Sequence, residues 1–336
     1  MGGNTRDRVV TPRALLAPDC GHSVGLGHLE RMLALADALQ TGASVFLILP
    51  EDEPALRRRV EDRGHSVLTA PGDAATRVEA VVTSTERVDL VALDGYTFDA
   101  NLQRRLRERA PLTVVDDLGL PAVCDLAVNP SPGGERLRPL GATAFLGGAA
   151  YALIRAAFTE ARAQVLRTGR ASRTVLVSTG ATDLDGISGR VTTELLERDP
   201  SVDVVRVVGP DAHGVHGVDE PRLQLLLDPA SLADALARAT VYVGAAGTTA
   251  VQAACVGIPS VINDAVANQS AQASALAGAG CAVVVDAARL VPECLALLDD
   301  PSRGDVMSDR GRALIDGRGS SRVADAMLRL AEVDVA

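Results

Sequence analysis

Aromatic side chains are scarce in this chain of 336 residues: four Phe, three Tyr and no Trp. A core of stacked rings is therefore excluded, and the interior has to be built from Leu, Val, Ile and Ala. For the same reason base or sugar stacking is not the expected mode of recognition; backbone groups and short polar side chains take its place. Basic residues are outnumbered, 33 against 43 acidic, giving a net charge of -10. This argues against an overall basic nucleic-acid binder but leaves room for a local phosphate pocket. The five cysteines, Cys20, Cys124, Cys255, Cys281 and Cys294, are far apart and lack CxxC spacing. They read as reduced, mostly buried small residues, not as a disulfide framework or metal cluster. No apolar run approaches the roughly 18 residues of a membrane span, and the opening MGGNTRDRVVTP lacks the basic-then-hydrophobic order of a secretory signal. A soluble cytoplasmic protein, monomeric or weakly dimeric, is the expectation.

What is present is a rhythm of short apolar runs separated by helix-compatible segments. In the first half RALLAP, ASVFLILP, HSVLTAP, VDLVALDG and LTVVDD read as strands, with Leu29 to Leu39 and EPALRRRVEDRG as helices. After RTVLVSTGATD the pattern repeats through VDVVRVVG, RLQLLL, ATVYVG, IPSVIN and CAVVVD, interleaved with SLADALARA and TTAVQAACVG. Continuously apolar strands need helices on both faces, which predicts an α/β fold of parallel sheets. The expected layout is a Rossmann-like domain over residues 1–158, a charged linker over 159–172, a second Rossmann-like domain over 173–320 and a C-terminal helix over 321–336. That helix caps the second domain or crosses back to the first. Two such halves enclose a cleft, the customary place for a substrate.

The sharpest local feature is DCGHSVGLGHLERMLALADAL, where Gly25 and Gly27 precede His28 at the start of an amphipathic helix. Glycines permit close backbone approach, and a helix N-terminus disfavours an added proton on a neighbouring histidine, leaving it fit to act as a base. A capping or packed structural histidine is the alternative. Asp19 closes the first strand on the side where ligands approach an open sheet, whereas His22 has no equally clear task. Asp94 and Tyr96 follow one strand and Asp116 and Asp117 end another, so the four are expected at one sheet edge, suited to sugar hydroxyls. The Asp116–Asp117 pair offers too few ligands to name a metal, and His213 and His216 lack converging partners. No metal or cofactor is expected.

In the second half, Gly180, Ala181 and Thr182 follow one strand, and Gly247, Thr248 and Thr249 precede a helix. Backbone N–H groups in these turns and the threonine hydroxyls suit a diphosphate. Neither turn is a GxxxxGK[ST] P-loop or a GxGxxG dinucleotide fingerprint. Gln252, one helical turn further on, and Asn268 and Gln269 are candidates for contacts with ribose, base or sugar, with helix capping as the alternative.

These motifs, together with LAVNP, FLGGAAYALIRAAF and ANQ, in order along most of the chain, resemble the UDP-2,4-diacetamido-2,4,6-trideoxy-beta-L-altropyranose hydrolases of pseudaminic-acid biosynthesis. The resemblance implies a glycosyltransferase-B/MurG-like arrangement, His28 as the base activating water at the anomeric carbon, and UDP held mainly by the second domain. Asp19, Asp94, Tyr96, Asp117 and Tyr151 would then surround the sugar. Ala17, Ala157, Ala181, Ala246 and Gln252 stand where that family commonly has Arg, Glu, Gly, Gly and Glu. The alternatives are a glycosyltransferase, in which His28 deprotonates an acceptor hydroxyl, and a nucleotide-sugar-binding protein without turnover.

Overall fold

The apolar runs form two parallel sheets. In the computed structural model, which describes residues 11–21, 26–169, 173–180, 186–209, 220–227, 229–263 and 269–333, the first sheet contains β1 (Arg13–Pro18), β2 (Ser44–Pro50), β3 (Ser66–Ala70), β4 (Leu90–Asp94), β5 (Leu112–Val115), β6 (Leu126–Asn129) and β7 (Ala144–Gly147). Their order is β3-β2-β1-β4-β5-β6-β7. The second sheet contains β8 (Thr174–Ser178), β9 (Asp203–Val208), β10 (Leu223–Leu227), β11 (Val241–Ala245), β12 (Ser260–Asn263) and β13 (Ala282–Val284), in the order β10-β9-β8-β11-β12-β13. Every pairing is parallel. In each sheet the chain starts in the middle, winds to one edge, and resumes on the other side of the starting strand. The switch points therefore lie between β1 and β4 and between β8 and β11, where crevices open beyond the strand C-termini.

Helices cover both faces of each sheet. The first half carries α1 (Gly27–Leu39), α2 (Pro54–Glu61), α3 (Ala74–Ser84) and α4 (Ala100–Arg107). The second carries α5 (Ala156–Thr168), α6 (Ile187–Arg198), α7 (Ala233–Arg238), α8 (Thr248–Val256), α9 (Ser270–Gly278), α10 (Leu290–Asp299) and α11 (Pro301–Leu314), and the chain closes with α12 (Gly319–Val333). Helix α1 follows from its sequence: Leu29, Met32, Leu33, Ala36 and Leu39 recur at helical spacing and are buried. As the composition requires, all four apolar clusters are mainly aliphatic. The rings among them are few: Phe98, Phe158 and Tyr242, the last fully buried. All five cysteines are free and buried, and burial pushes their thiols up, Cys281 to about 11 and Cys20 to about 12.

The chain path departs from the sequence expectation at the linker and follows the second of the two courses expected for the C-terminal helix. The stretch expected as a linker is, over residues 159–168, the body of α5. Its charged composition belongs to an exposed helix face, while Phe158, Ala161 and Val165 are buried in the second domain's core. The crossover is shorter and earlier: Leu153 joins the first core and Ile154 the second. Helix α12 crosses back, and its Val323, Ala324, Met327 and Ala331 pack with α1 in the first core. Outgoing and returning segments lie side by side, with Ser320 Oγ donating to Ile154 O at 3.1 Å and Arg322 Nη1 to Ala150 O at 2.8 Å.

Candidate functional site

At the switch point of the first sheet, β1 and β4 end in register, Pro18 opposite Asp94. The Asp19 N–H continues the ladder to Asp94 O at 2.7 Å. The following Gly95 has φ +157, and a Cβ there would lie 2.3 Å from Asp19 Cβ, so this close approach of the two strand ends requires glycine. Asp94 itself is fully buried and points at the first turn of α1.

There it meets two residues of the helix. His28 Nδ1 lies 2.6 Å from Asp94 Oδ1. Arg31, one turn later, grips the same carboxylate with both faces of its fork, Nη2 to Oδ1 at 2.6 Å and Nε to Oδ2 at 2.8 Å. Its Nη1 reaches Asp117 Oδ2 at 2.7 Å, and the Tyr96 hydroxyl donates to Asp117 Oδ1 at 2.5 Å. The His28 and Tyr96 rings pack edge to face, with centroids 5.1 Å apart.

The contacts fix the histidine tautomer. Arg31 Nη2 also lies 2.7 Å from His28 Nδ1, but one nitrogen cannot both accept from the guanidinium and donate to the carboxylate. An ionised carboxylate only accepts, so the Nδ1–Asp94 contact requires the proton on Nδ1. Arg31 Nη2 then donates to Asp94 Oδ1, and in the neutral ring the lone pair sits on Nε2, on the far side from Asp94. Burial by itself would pull the Arg31 guanidinium down, yet the charges and hydrogen bonds of Asp94 and Asp117 outweigh it and hold the group above its ordinary value. Burial likewise pushes Asp117 up, but Arg31 and the Tyr96 hydroxyl bond hold it below the usual carboxylate range. Burial and the neighbouring Asp117 raise the Tyr96 phenol, which stays a donor at neutral pH.

His28, Asp94, Tyr96 and Asp117 are thus brought together. Asp19 joins a different contact: its Oδ2 accepts from Thr97 Oγ1 at 2.9 Å, and it is Asp94 that orients the histidine. Asp116 is buried and folds its own loop, accepting from Leu118 N at 3.1 Å and Leu120 N at 2.7 Å. Tyr151 packs against the first core beside α12 and makes none of the hydrogen bonds of this cluster among the described residues. Among the described residues no group of three or more His, Cys, Asp or Glu side chains could hold a metal ion.

The switch point of the second sheet is built by packing. Tyr242, buried in β11, directs its hydroxyl to Ser178 O at 2.8 Å and Ala245 O at 3.0 Å, tying the ends of β8 and β11 together. Beside it, a Cβ on Gly244 would lie 1.8 Å from Ser178 O. The half-buried Gly247, Thr248 and Thr249 follow, opening α8. Gly180 has φ +104 and open space where a Cβ would stand. Gln252 is buried on α8. Gln269 stands at the N-cap position of α9 without a side-chain capping bond, and its buried Oε1 has no partner among the described residues. Gly25, Ala181, Thr182 and Asn268, with His22, His213 and His216, lie outside the described residues.

The two switch points face each other. A Cβ on Gly27, at the start of α1, would lie 3.3 Å from Thr248 Oγ1, at the start of α8. Two helix N-termini, each with unpaired N–H groups, therefore converge across the cleft within a few ångströms of the His28 helix turn. Further along the seam, Arg59 Nη2 donates to Pro229 O at 2.5 Å and Arg63 to Ala230 O, while Glu30 accepts from both arginines at 3.3 Å.

Arg31 and Gln272 were not singled out by sequence reasoning. The available signal for Arg31 was a lone guanidinium three residues after His28, hence on the same helix face. Gln272 carried no local signal, since its partners lie 25 and 26 residues away.

No family model matches the chain. It is 23% identical over 340 residues to the spore coat polysaccharide biosynthesis protein SpsG of Bacillus subtilis (strain 168), covering 94% of this chain and 98% of that protein. Among solved structures, the glycotransferase of kitacinnamycin aligns over 95% of this chain and 99% of its own, with a TM-score of 0.67 at 16% identity. Spinosyn rhamnosyltransferase SpnG complexed with thymidine diphosphate aligns over 95% and 100%, with a TM-score of 0.65 at 17% identity. The fold is that of two-domain glycosyltransferase-B proteins.

Proposed function

We propose that the protein is a glycosyltransferase, moving a sugar from a nucleoside-diphosphate donor to an acceptor hydroxyl in the cleft. The observation that carries this reading is the oriented His28–Asp94–Arg31 cluster at one switch point with the N-terminus of α8 directly across from it. In the proposed step His28 Nε2 takes the acceptor proton as the acceptor oxygen bonds to the anomeric carbon. The bond from that carbon to the donor's diphosphate oxygen breaks, and its electron pair leaves on the diphosphate. The facing helix N-termini, with Thr248 and Thr249, suit that developing charge. Asp94 and Arg31 hold the base in one tautomer and orientation, and Tyr96 and Asp117 line the sugar or acceptor side.

Two further facts support transfer over hydrolysis. The glycosyltransferase structures named above share this fold, one of them complexed with thymidine diphosphate. Next to Asp117, the Asp116-anchored loop leaves Leu118 37% and Leu120 45% exposed, and Tyr96 is 40% exposed. That apolar rim suits an organic acceptor better than bare water. Water in the acceptor's place gives the hydrolase expected from the sequence, with the same base. Incubation with UDP-, TDP- and GDP-sugars, with and without hydroxylated apolar acceptors, followed by mass spectrometry, separates the two. Acceptor-dependent glycoside is expected; free sugar formed equally without acceptor supports the hydrolase, and binding without turnover supports the non-catalytic nucleotide-sugar-binding protein.

A further inference from the structure

Gln272, in the first turn of α9, is half-buried, and its amide NH2 makes two contacts. Its Nε2 donates to Gly247 O at 3.0 Å and to Ala246 O. Both acceptors belong to the peptides leading into α8. In a trans peptide the carbonyl and the N–H of the same plane point in opposite directions. The peptide that carries Ala246 O also carries the Gly247 N–H, and the one that carries Gly247 O also carries the Thr248 N–H. Fastening both carbonyls on the α9 side therefore aims both N–H groups away from α9. The side chain of Thr248 approaches Gly27 of the first domain, so the loop's other side is the cleft.

We propose that Gln272 is a positioning residue for diphosphate recognition: by holding the Ala246 and Gly247 carbonyls it points the Gly247 and Thr248 N–H groups at the leaving diphosphate. The proposal rests on the reading of this cleft as a nucleotide-sugar site. Among the described residues no other side chain is bonded to these two carbonyls. Gly247 has no side chain to brace the loop, and the further bond to its carbonyl among the described residues, from Ala250 N at 3.0 Å, belongs to the helix turn itself. The neighbouring Gln269 brings its Nε2 to 3.4 Å from where a Gly247 Cβ would stand, so the loop is flanked by two amides from the same helix start. Gln269 leaves a buried acceptor unpartnered among the described residues, whereas Gln272 uses its donor.

Two variants test this. Gln272→Met keeps the length and removes the donor; Gln272→Glu keeps the shape and replaces the donor with a charged acceptor facing two carbonyls. UDP and TDP affinities are measured by calorimetry and those of uridine and thymidine by competition, with melting temperatures as the folding check. The expected result is a loss of roughly 10-fold in diphosphate affinity for Gln272→Met and about 100-fold for Gln272→Glu, with nucleoside affinity unchanged within about 2-fold. Unchanged diphosphate affinity, or an equal loss for diphosphate and nucleoside in a folded variant, overturns the proposal. A wild-type protein that gains no affinity from the diphosphate overturns the nucleotide-sugar reading itself.

Discussion

Replacing Asp94 by Asn changes one atom at the centre of the cluster and leaves its volume intact. Asp94 is fully buried and accepts from three donor atoms: His28 Nδ1 and Arg31 Nη2 on Oδ1, Arg31 Nε on Oδ2. An amide has one oxygen and one NH2, so each orientation sets donor against donor somewhere. With its oxygen toward His28, the NH2 faces Arg31 Nε. With its NH2 toward His28, the ring must accept on Nδ1, the proton moves to Nε2, and the base is lost. Either way Arg31 keeps one full carboxylate partner, Asp117, whose side chain is largely buried. Removing one partner of a buried ion pair costs about 3–5 kcal/mol; the retained amide oxygen and Asp117 place this case near the lower end, about 3 kcal/mol. Catalysis should fall roughly 10²- to 10⁴-fold, the range in which an oriented proton acceptor contributes. Urea denaturation and steady-state kinetics with donor and acceptor read the two effects separately. An Asp94→Asn protein with turnover within about 3-fold of wild type would refute the claim that the base depends on the full Asp94 carboxylate.

Other consequences follow from strain and charge. Gly95→Ala puts a methyl 2.3 Å from Asp19 Cβ on a backbone at φ +157; a loss of at least about 2 kcal/mol is expected by urea denaturation, and wild-type stability would contradict the close approach. Asp37 is opposed by burial but held below its ordinary value of 3.8 by hydrogen bonds from His65 and Arg155. A carboxylate depressed in the folded state contributes stability above its ordinary value and loses it as pH falls through the folded one. The urea midpoint should therefore decline below about pH 4, and the decline should be shallower in Asp37→Asn; an identical acid limb in the two proteins would count against the His65–Asp37–Arg155 link.

The sheets were readable because parallel strands buried on both faces become uninterrupted apolar runs, such as VFLIL in β2 and YVGA in β11. The short strands β6 (LAVN) and β7 (AFLG) were missed because they lack the β-branched pairs that mark the equally short β5, β12 and β13. Helix α5 was hidden by its charged outer face, since three buried residues in thirteen leave composition dominated by what solvent sees. At the site, His28, Asp94, Tyr96 and Asp117 were legible because strand ends and helix starts of this fold meet at the switch point. Their division of labour was not. Only the register of β1 against β4 decides that Asp94, and not Asp19, faces the histidine, and Arg31 acquires its role from carboxylates 63 and 86 residues away. The return of α12 to α1 depends on packing between the two ends of the chain, which no local pattern encodes.

In the proposed reaction His28 Nε2 accepts the proton of the attacking hydroxyl while the α8 side of the cleft holds the donor. This step is tested most directly by measuring, on one preparation of His28→Ala, both the nucleoside-diphosphate Kd and the rate of acceptor glycosylation. The account predicts a fall in kcat of roughly 10²- to 10⁴-fold with the Kd changed by no more than about 3-fold. Turnover at the wild-type rate would contradict it.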